Sequence, residues 1–421
     1  MYSKMGREAL SAEKELINKA YLDYCGQNLK LNMSRGIPGA DQLALSEGLL
    51  TVLGSSEECR TAAGDARNYG LLEGLPEARE LMAGFLEVSP GDVIVGGSSS
   101  LNLMYDTISR AMTHGFCGNA PWYGRHVKFI CPSPGYDRHF GITEHFGIEM
   151  LPVSIGQDGP DMDAVVELAR DPQVVGMWCV PKFSNPTGIV YSDETVFRIA
   201  NLKPAAPDFR VFWDNAYAVH GLYDEKTPLR NVAGDAKAAG NPELVIQFAS
   251  TSKVTFPGSG ISALSAGPGT LADIRESLFY RTICYDKVNQ LRHVLYFRDM
   301  DGVRSHMRLH AALLRPKFEA VDDILKRNLV GFADWTTPRG GYFVSLDVMT
   351  GTAKRTIALM GQAGVTMTGA GATWPYGRDP QDKNIRIAPT CPPVPELRLA
   401  MELLCVCAKL ATLEEMTANP R

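Results

Sequence analysis

No cysteine pair in this sequence has the spacing of a metal site, and no apolar run approaches the roughly 18 residues or more that a membrane-crossing helix needs. The nine cysteines, at 25, 59, 117, 131, 179, 284, 391, 405 and 407, include no CxxC. They read as small core thiols in a reducing compartment, and no metal is expected. The N-terminus mixes Lys, Arg and Glu without an apolar segment, so a secretory signal is not indicated and a cytoplasmic location is expected. Net charge is small as well. The 42 Lys+Arg against 47 Asp+Glu leave −5, which gives no electrostatic ground for nucleic acid or an anionic membrane as partner. Internal repeats and low-complexity segments are not evident.

What is present is an ordinary globular composition, 45% apolar and 21% charged, spread over 421 residues. That length exceeds the roughly 100–200 residues typical of one domain, so two domains, or one large α/β domain with an appendage, are expected. Residues 11–28 read as an amphipathic helix capped by Ser11, an N-terminal arm. The segment 31–39 cannot continue it, because Gly36, Pro38 and Gly39 break a helix; it carries Arg35, alone on an extended turn and open to a solvated or a functional role. A glycine-punctuated loop holding Tyr69 then leads into a helix that Pro76 opens.

Between 92 and 267 the pattern changes to apolar runs at 93–95, 127–131, 149–153, 174–180, 210–213, 244–248 and 262–266, separated by loops and helices. Doubly buried, β-branched runs alternating with helices indicate a mostly parallel α/β sheet, seven strands wide. Ligands of such sheets bind beyond the carboxyl ends of the strands. Polar residues cluster there. Gly97, Ser98 and Ser99 follow the first run, a phosphate cradle at a helix N-terminus or an ordinary cap cluster. Tyr136 follows the second and offers a face for a flat ring. Asn185, before Pro186, follows the fourth with an amide donor. Asp214 and Tyr217 follow the fifth; a carboxylate there suits a functional site, a metal or a helix cap. Ser250, Ser252 and Lys253 follow the sixth, ahead of the Pro257-Gly258-Ser259-Gly260 turn; the lysine is either a surface residue of a Ser/Gly loop or an amine among hydroxyls and free N–H groups, placed to form a Schiff base with a phosphate-bearing aldehyde. Beyond 267, residues 271–328 read as long, charged and periodic helix, 340–346 as a strand of a second, smaller layer, and 417–421 as a frayed tail.

Asn185-Pro186-Thr187-Gly188, Asp214 with Tyr217, and Ser250/Ser252-Lys253, together with Asn384-Ile385-Arg386-Ile387-Ala388-Pro389, resemble the signature of fold-type I pyridoxal-phosphate enzymes of the aspartate aminotransferase superfamily. Ser34-Arg35-Gly36-Ile37-Pro38-Gly39 and the lysine segment are most similar to a bacterial aspartate aminotransferase branch related to the aminotransferase part of MocR-type regulators. The resemblance covers essentially the whole chain. It implies a large domain at 51–310, a C-terminal small domain at 311–421, and an N-terminal arm at 1–50 that joins the small domain. It also implies pyridoxal 5'-phosphate on Lys253 as an aldimine, Asp214 on the pyridine nitrogen, Tyr217 and Asn185 on the ring oxygen, and Tyr136 on the ring face. Gly97, Ser98, Ser99, Ser250, Ser252 and Ser259 would bind the phosphate, with Tyr69 arriving from a second subunit of a homodimer. Arg386 and Asn185 would take the substrate α-carboxylate, with Gly36 at the mouth and Arg35 toward the substrate side chain. Among Arg281, Arg292 and Arg298 no distal-carboxylate residue stands out. The family's usual phosphate-binding arginine, eight residues beyond the lysine, is Ile261 here. The activity implied is transamination between aspartate and 2-oxoglutarate by a ping-pong route. A β-lyase uses the same cofactor residues, and a cofactor-sensing regulator would need a DNA-binding module for which the residues before Ser34 are too few.

Overall fold

The computed structural model describes residues 2, 5–225 and 227–418. All seven apolar runs are strands: β1 (Val93–Gly96), β2 (Lys128–Ser133), β3 (Glu149–Gly156), β5 (Val174–Cys179), β6 (Arg210–Asp214), β7 (Val245–Ser250) and β8 (Ser262–Ser265). Every residue of β1, β5, β6, β7 and β8 is buried, because helices cover both faces. The sheet is eight-stranded rather than seven. Its extra member, β4 (Gly159–Pro160), returns antiparallel against the end of β3. Asp158-Gly159 is a hairpin signal outside any apolar run, which is why counting runs misses this strand. The spatial order is β1-β8-β7-β6-β5-β2-β3-β4, with β8 antiparallel to both of its neighbours and β7, β6, β5, β2 and β3 mutually parallel.

The first helix runs Arg7–Cys25 with Gly6, not Ser11, at its cap. The apolar pattern extends one turn further back than a capping reading allows, since Leu10 is already buried. The helix packs on the terminal helix Val394–Ala418, and the Tyr21 hydroxyl donates to the Leu359 carbonyl at 3.0 Å. The expected frayed tail at 417–421 is helical through Ala418; its remainder lies outside the described residues.

The helical stretch expected over 271–328 divides into Pro268–Arg281, Lys287–Phe297 and Met300–Leu329. Val303 and Met307 of the last helix join a core with Leu81 and Val95, whereas Leu314 to Leu329 join a second core with Leu346 and Ile385. That second core covers an antiparallel sheet of Asp334–Trp335, Val344–Asp347 and Asn384–Ile387. The strand expected from Gly340 begins at Val344 instead. Gly340 bridges Gly221, and Gly341, at φ +82°, lies where an added Cβ would be 2.7 Å from the Phe183 Cβ.

Candidate active site

A cleft of about 570 Å3 opens where β6 and β7 end, closed on its other sides by the Ser34–Arg35–Gly36–Ile37 turn and by Arg386 from the second sheet. Lys253 sits in a tight turn immediately after β7. The Thr251 carbonyl accepts from the N–H groups of Val254 and Thr255, and Thr251 Oγ1 accepts from the Ile261 N–H. The Lys253 carbonyl accepts from the Tyr342 hydroxyl and the His220 Nε2, both at 3.3 Å, so its backbone is held while its amine points to the rings of Tyr217 (5.1 Å) and Tyr342 (6.0 Å). Burial lowers the pKa of this amine, and the Asp214 charge opposes the shift.

Asp214 ends β6. Its Oδ2 accepts from His139 Nε2 at 3.0 Å, and the His139 ring stacks on Trp178 at 4.2 Å. Its Oδ1 is buried without a partner. A carboxylate oxygen left unpaired in a closed site calls for a positively charged or N–H donor, which is what a protonated pyridine nitrogen presents. Burial pushes the Tyr136 phenol up to about 12 and the Tyr217 phenol well up, so both remain donors. Arg386 Nη1 donates to Asp137 Oδ1 at 2.8 Å and Asn185 Oδ1 at 3.3 Å, and its Nη2 to Thr368 Oγ1 at 3.2 Å. The Phe343 ring lies 4.9 Å below this guanidinium, and its Cζ would be 2.3 Å from a Cβ at position 36. Only glycine lets the mouth turn approach so closely.

Of the residues expected from sequence, Arg35, Gly36, Ser99, Tyr136, Asn185, Asp214, Tyr217, Ser250, Ser252, Lys253 and Arg386 line this cleft together. Ser99 also caps the helix Ser100–His114, accepting from the Leu101 N–H. Gly97 and Ser98 lie just beside it, their carbonyls accepting from Ser262 Oγ and Ser252 Oγ. Ser259 is exposed, and its carbonyl accepts from Asn289 Nδ2. Tyr69 is 77% exposed, on a loop pinned by Lys287 Nζ through the carbonyls of Asn68 and Gly70. Ile261 is buried in a core with Ala249 and Val254.

Sequence reasoning missed His139, Tyr342, Phe343, Thr368 and Arg138. His139 and Arg138 follow Tyr136 on the helix Asp137–His145, and that proximity was the available signal. Tyr342 and Phe343 lie in the 340–346 stretch, whose local pattern signals only a strand of the second layer. Arg138, like Arg35, lines the cleft, and neither guanidinium makes a hydrogen bond or ion pair among the described residues.

Three histidines beneath the site carry a pH consequence. Burial lowers the pKa of His220 to about 3 and of His293 and His310 to about 4. Unfolded histidine titrates near 6.5. Between those values only the unfolded chain takes up the protons, so stability is full above about pH 6.5 and is lost as pH falls toward about 4. Each group contributes up to about 1.4 kcal/mol per pH unit in that window. The urea midpoint should drop markedly from about pH 7 to about pH 5. A flat midpoint would show that these rings are already protonated in the fold.

The aspartate amino-transferase family model matches residues 5–419. A putative aminotransferase of Mycolicibacterium smegmatis is 48% identical over 425 residues, 99% of both chains. An aspartate aminotransferase of Corynebacterium glutamicum is 46% identical over 97% of this chain and 95% of that one. The crystal structure of an aspartate transaminase from Corynebacterium glutamicum superposes with a TM-score of 0.94 at 46% identity, covering 97% of each chain. The fold is shared more distantly by an α-aminoadipate aminotransferase of Thermus thermophilus, solved with N-(5'-phosphopyridoxyl)-L-leucine (TM-score 0.73, 19% identity, 95% of each chain).

Proposed function

We propose that this chain, which belongs to the aspartate aminotransferase family and is an aminotransferase, moves the amino group of aspartate to 2-oxoglutarate with pyridoxal 5'-phosphate as its cofactor. The observation that carries the cofactor assignment is the buried, unpartnered Asp214 Oδ1 in the same cleft as a desolvated lysine. When bound, the cofactor supplies an aldehyde to take up the amino group and an electron-accepting ring. Asp214 would hold the ring nitrogen, fixed in turn by His139. Tyr217 and Asn185 would hold the ring oxygen, Tyr136 the ring face, and Ser99, Ser250 and Ser252 the phosphate, with Gly97 and Ser98 behind them. Lys253, its amine pKa lowered by burial, is suited to move a proton at its Nζ. Arg386 orients the α-carboxylate through a guanidinium already braced by Asn185 and Thr368. Incubation with aspartate and 2-oxoglutarate should yield oxaloacetate and glutamate. Release of ammonia without glutamate would replace this reading by an elimination.

The preference for a dicarboxylate needs a second cation. Arg35 and Arg138 both qualify, lining the cleft without hydrogen-bond or ion-pair partners among the described residues. A charge-assisted contact contributes about 1.5–3 kcal/mol, roughly a tenfold to hundredfold discrimination. Arg35→Ala or Arg138→Ala should therefore lower kcat/KM for aspartate by that factor and leave alanine nearly unaffected. Equal losses on both substrates would make the residue structural.

A homodimer with shared sites accounts for Tyr69, which is exposed along with Phe279 (71%), Tyr280 (82%) and Ile283 (63%), a set of apolar side chains that a second copy would cover. Sedimentation should give a dimer, and Tyr69→Phe should weaken cofactor retention. A fully active monomer would remove Tyr69 from any site.

A further inference from the structure

The guanidinium of Arg386 is already engaged before any substrate arrives. Its side chain is 7% exposed and donates to three acceptors: Asp137 Oδ1 at 2.8 Å, Asn185 Oδ1 at 3.3 Å and Thr368 Oγ1 at 3.2 Å. Two of these are neutral and anchored. Asn185 is buried in the turn after β5, and Thr368 donates its own hydroxyl hydrogen to the Ser34 carbonyl at 2.6 Å. The third differs in both respects. Asp137 opens the helix Asp137–His145, lines the same cleft with a side chain 36% exposed, and accepts from no other donor among the described residues. Among the described residues, therefore, the one charged acceptor on Arg386 is also the one that reaches water. These acceptors still leave the fork incomplete, since Arg386 Nε is buried without a partner.

We propose that Asp137 is an internal stand-in for the substrate's α-carboxylate, pairing with Arg386 in the empty site and exchanged for the incoming carboxylate, so that it sets how tightly amino and oxo acids bind. The proposal rests on the assignment of Arg386 to that carboxylate. The exchange is like for like. Asp137 presents a carboxylate at charge-assisted hydrogen-bond distance, in the cleft that the substrate's own carboxylate must enter. Two carboxylates on one buried guanidinium repel each other, and its single positive charge balances only one of them. Asp137 yields because water can take up its charge, while Asn185 and Thr368 keep the guanidinium oriented throughout. Competition of this kind has a simple size. An Arg386 held by Asp137 about nine-tenths of the time binds a carboxylate about tenfold more weakly than a vacant one.

The test is calorimetric titration of the holoenzyme with succinate, which carries carboxylates but no amine to transfer. Asp137→Asn keeps the shape and an acceptor oxygen while removing the charge, and should bind succinate about fivefold to tenfold more tightly. Asp137→Ala should gain as well. In turnover, Asp137→Asn should raise kcat/KM for aspartate and for alanine by the same factor and leave kcat nearly unchanged, because both substrates carry the α-carboxylate. Unchanged or weaker succinate binding in Asp137→Asn would make Asp137 a brace of Arg386 and overturn the proposal. A gain confined to aspartate would overturn it too, by placing Asp137 at the far end of the substrate. In an Arg386→Leu background the gain should vanish; a gain that persists there reduces Asp137 to a general negative field and likewise overturns the exchange. Arg386→Leu binding succinate as tightly as the parent would instead remove the α-carboxylate assignment itself, and the exchange with it.

Discussion

Lys253→Ala is expected to lower amino transfer by about 10^4-fold or more, the upper range of what a positioned proton-transfer group contributes, with the covalent anchor lost besides. The fold should survive. The Lys253 amine makes no hydrogen bond among the described residues, so its removal orphans no partner there and takes a desolvated charge out of the site. The backbone at 253 stays held by Tyr342 and His220, contacts that alanine leaves intact. A thermal scan of the cofactor-free variant should match that of the cofactor-free parent, while the visible absorbance of the lysine-bound cofactor is lost. Borohydride reduction of the parent, followed by peptide mapping, locates the anchoring amine directly. A label on any lysine other than Lys253 overturns the assignment.

Asp214→Asn is expected to cost on the order of 10^2- to 10^3-fold in turnover, comparable to removing one preorganised electrostatic contact from a closed site. The substitution keeps shape and replaces an anion with a neutral amide. The carboxylate accepts from His139 on one oxygen and keeps the other unpaired, so its charge is directed at whatever faces Oδ1. With the charge gone, the ring nitrogen would lose the anion that favours its protonation, and the electron-accepting capacity of the cofactor would drop. The serines and Lys253 should still retain the cofactor, so occupancy measured by absorbance after dialysis should change far less than turnover. Near-normal turnover in Asp214→Asn would take the residue out of the mechanism.

Much of this site was legible before any fold was known, because its residues follow strands. Asn185, Asp214, Ser250 and Lys253 each come just after a run of β-branched or aromatic residues, and local patterning marks both the run and its end. Glycine and proline marked the Arg35–Gly36 turn for the same local reason. Ser11 as a cap failed, and so did the strand start at Gly340; both are boundary questions, where neighbouring elements outweigh local preference.

By itself the sequence determined the alternation of strands and helices, the strand-end residues and the family that their order implies, since all of these are carried by neighbours along the chain. Tertiary structure alone decided which side chains meet across it. It brought Phe343 beneath both Gly36 and Arg386, set His139 behind Asp214, and tied Tyr342 to the Lys253 carbonyl. It also left Arg138 in the cleft without a partner among the described residues. The reason is physical: a hydrogen bond or ring contact between residues separated by tens or hundreds of positions leaves no period in the sequence, and exists only once packing has made the two ends neighbours.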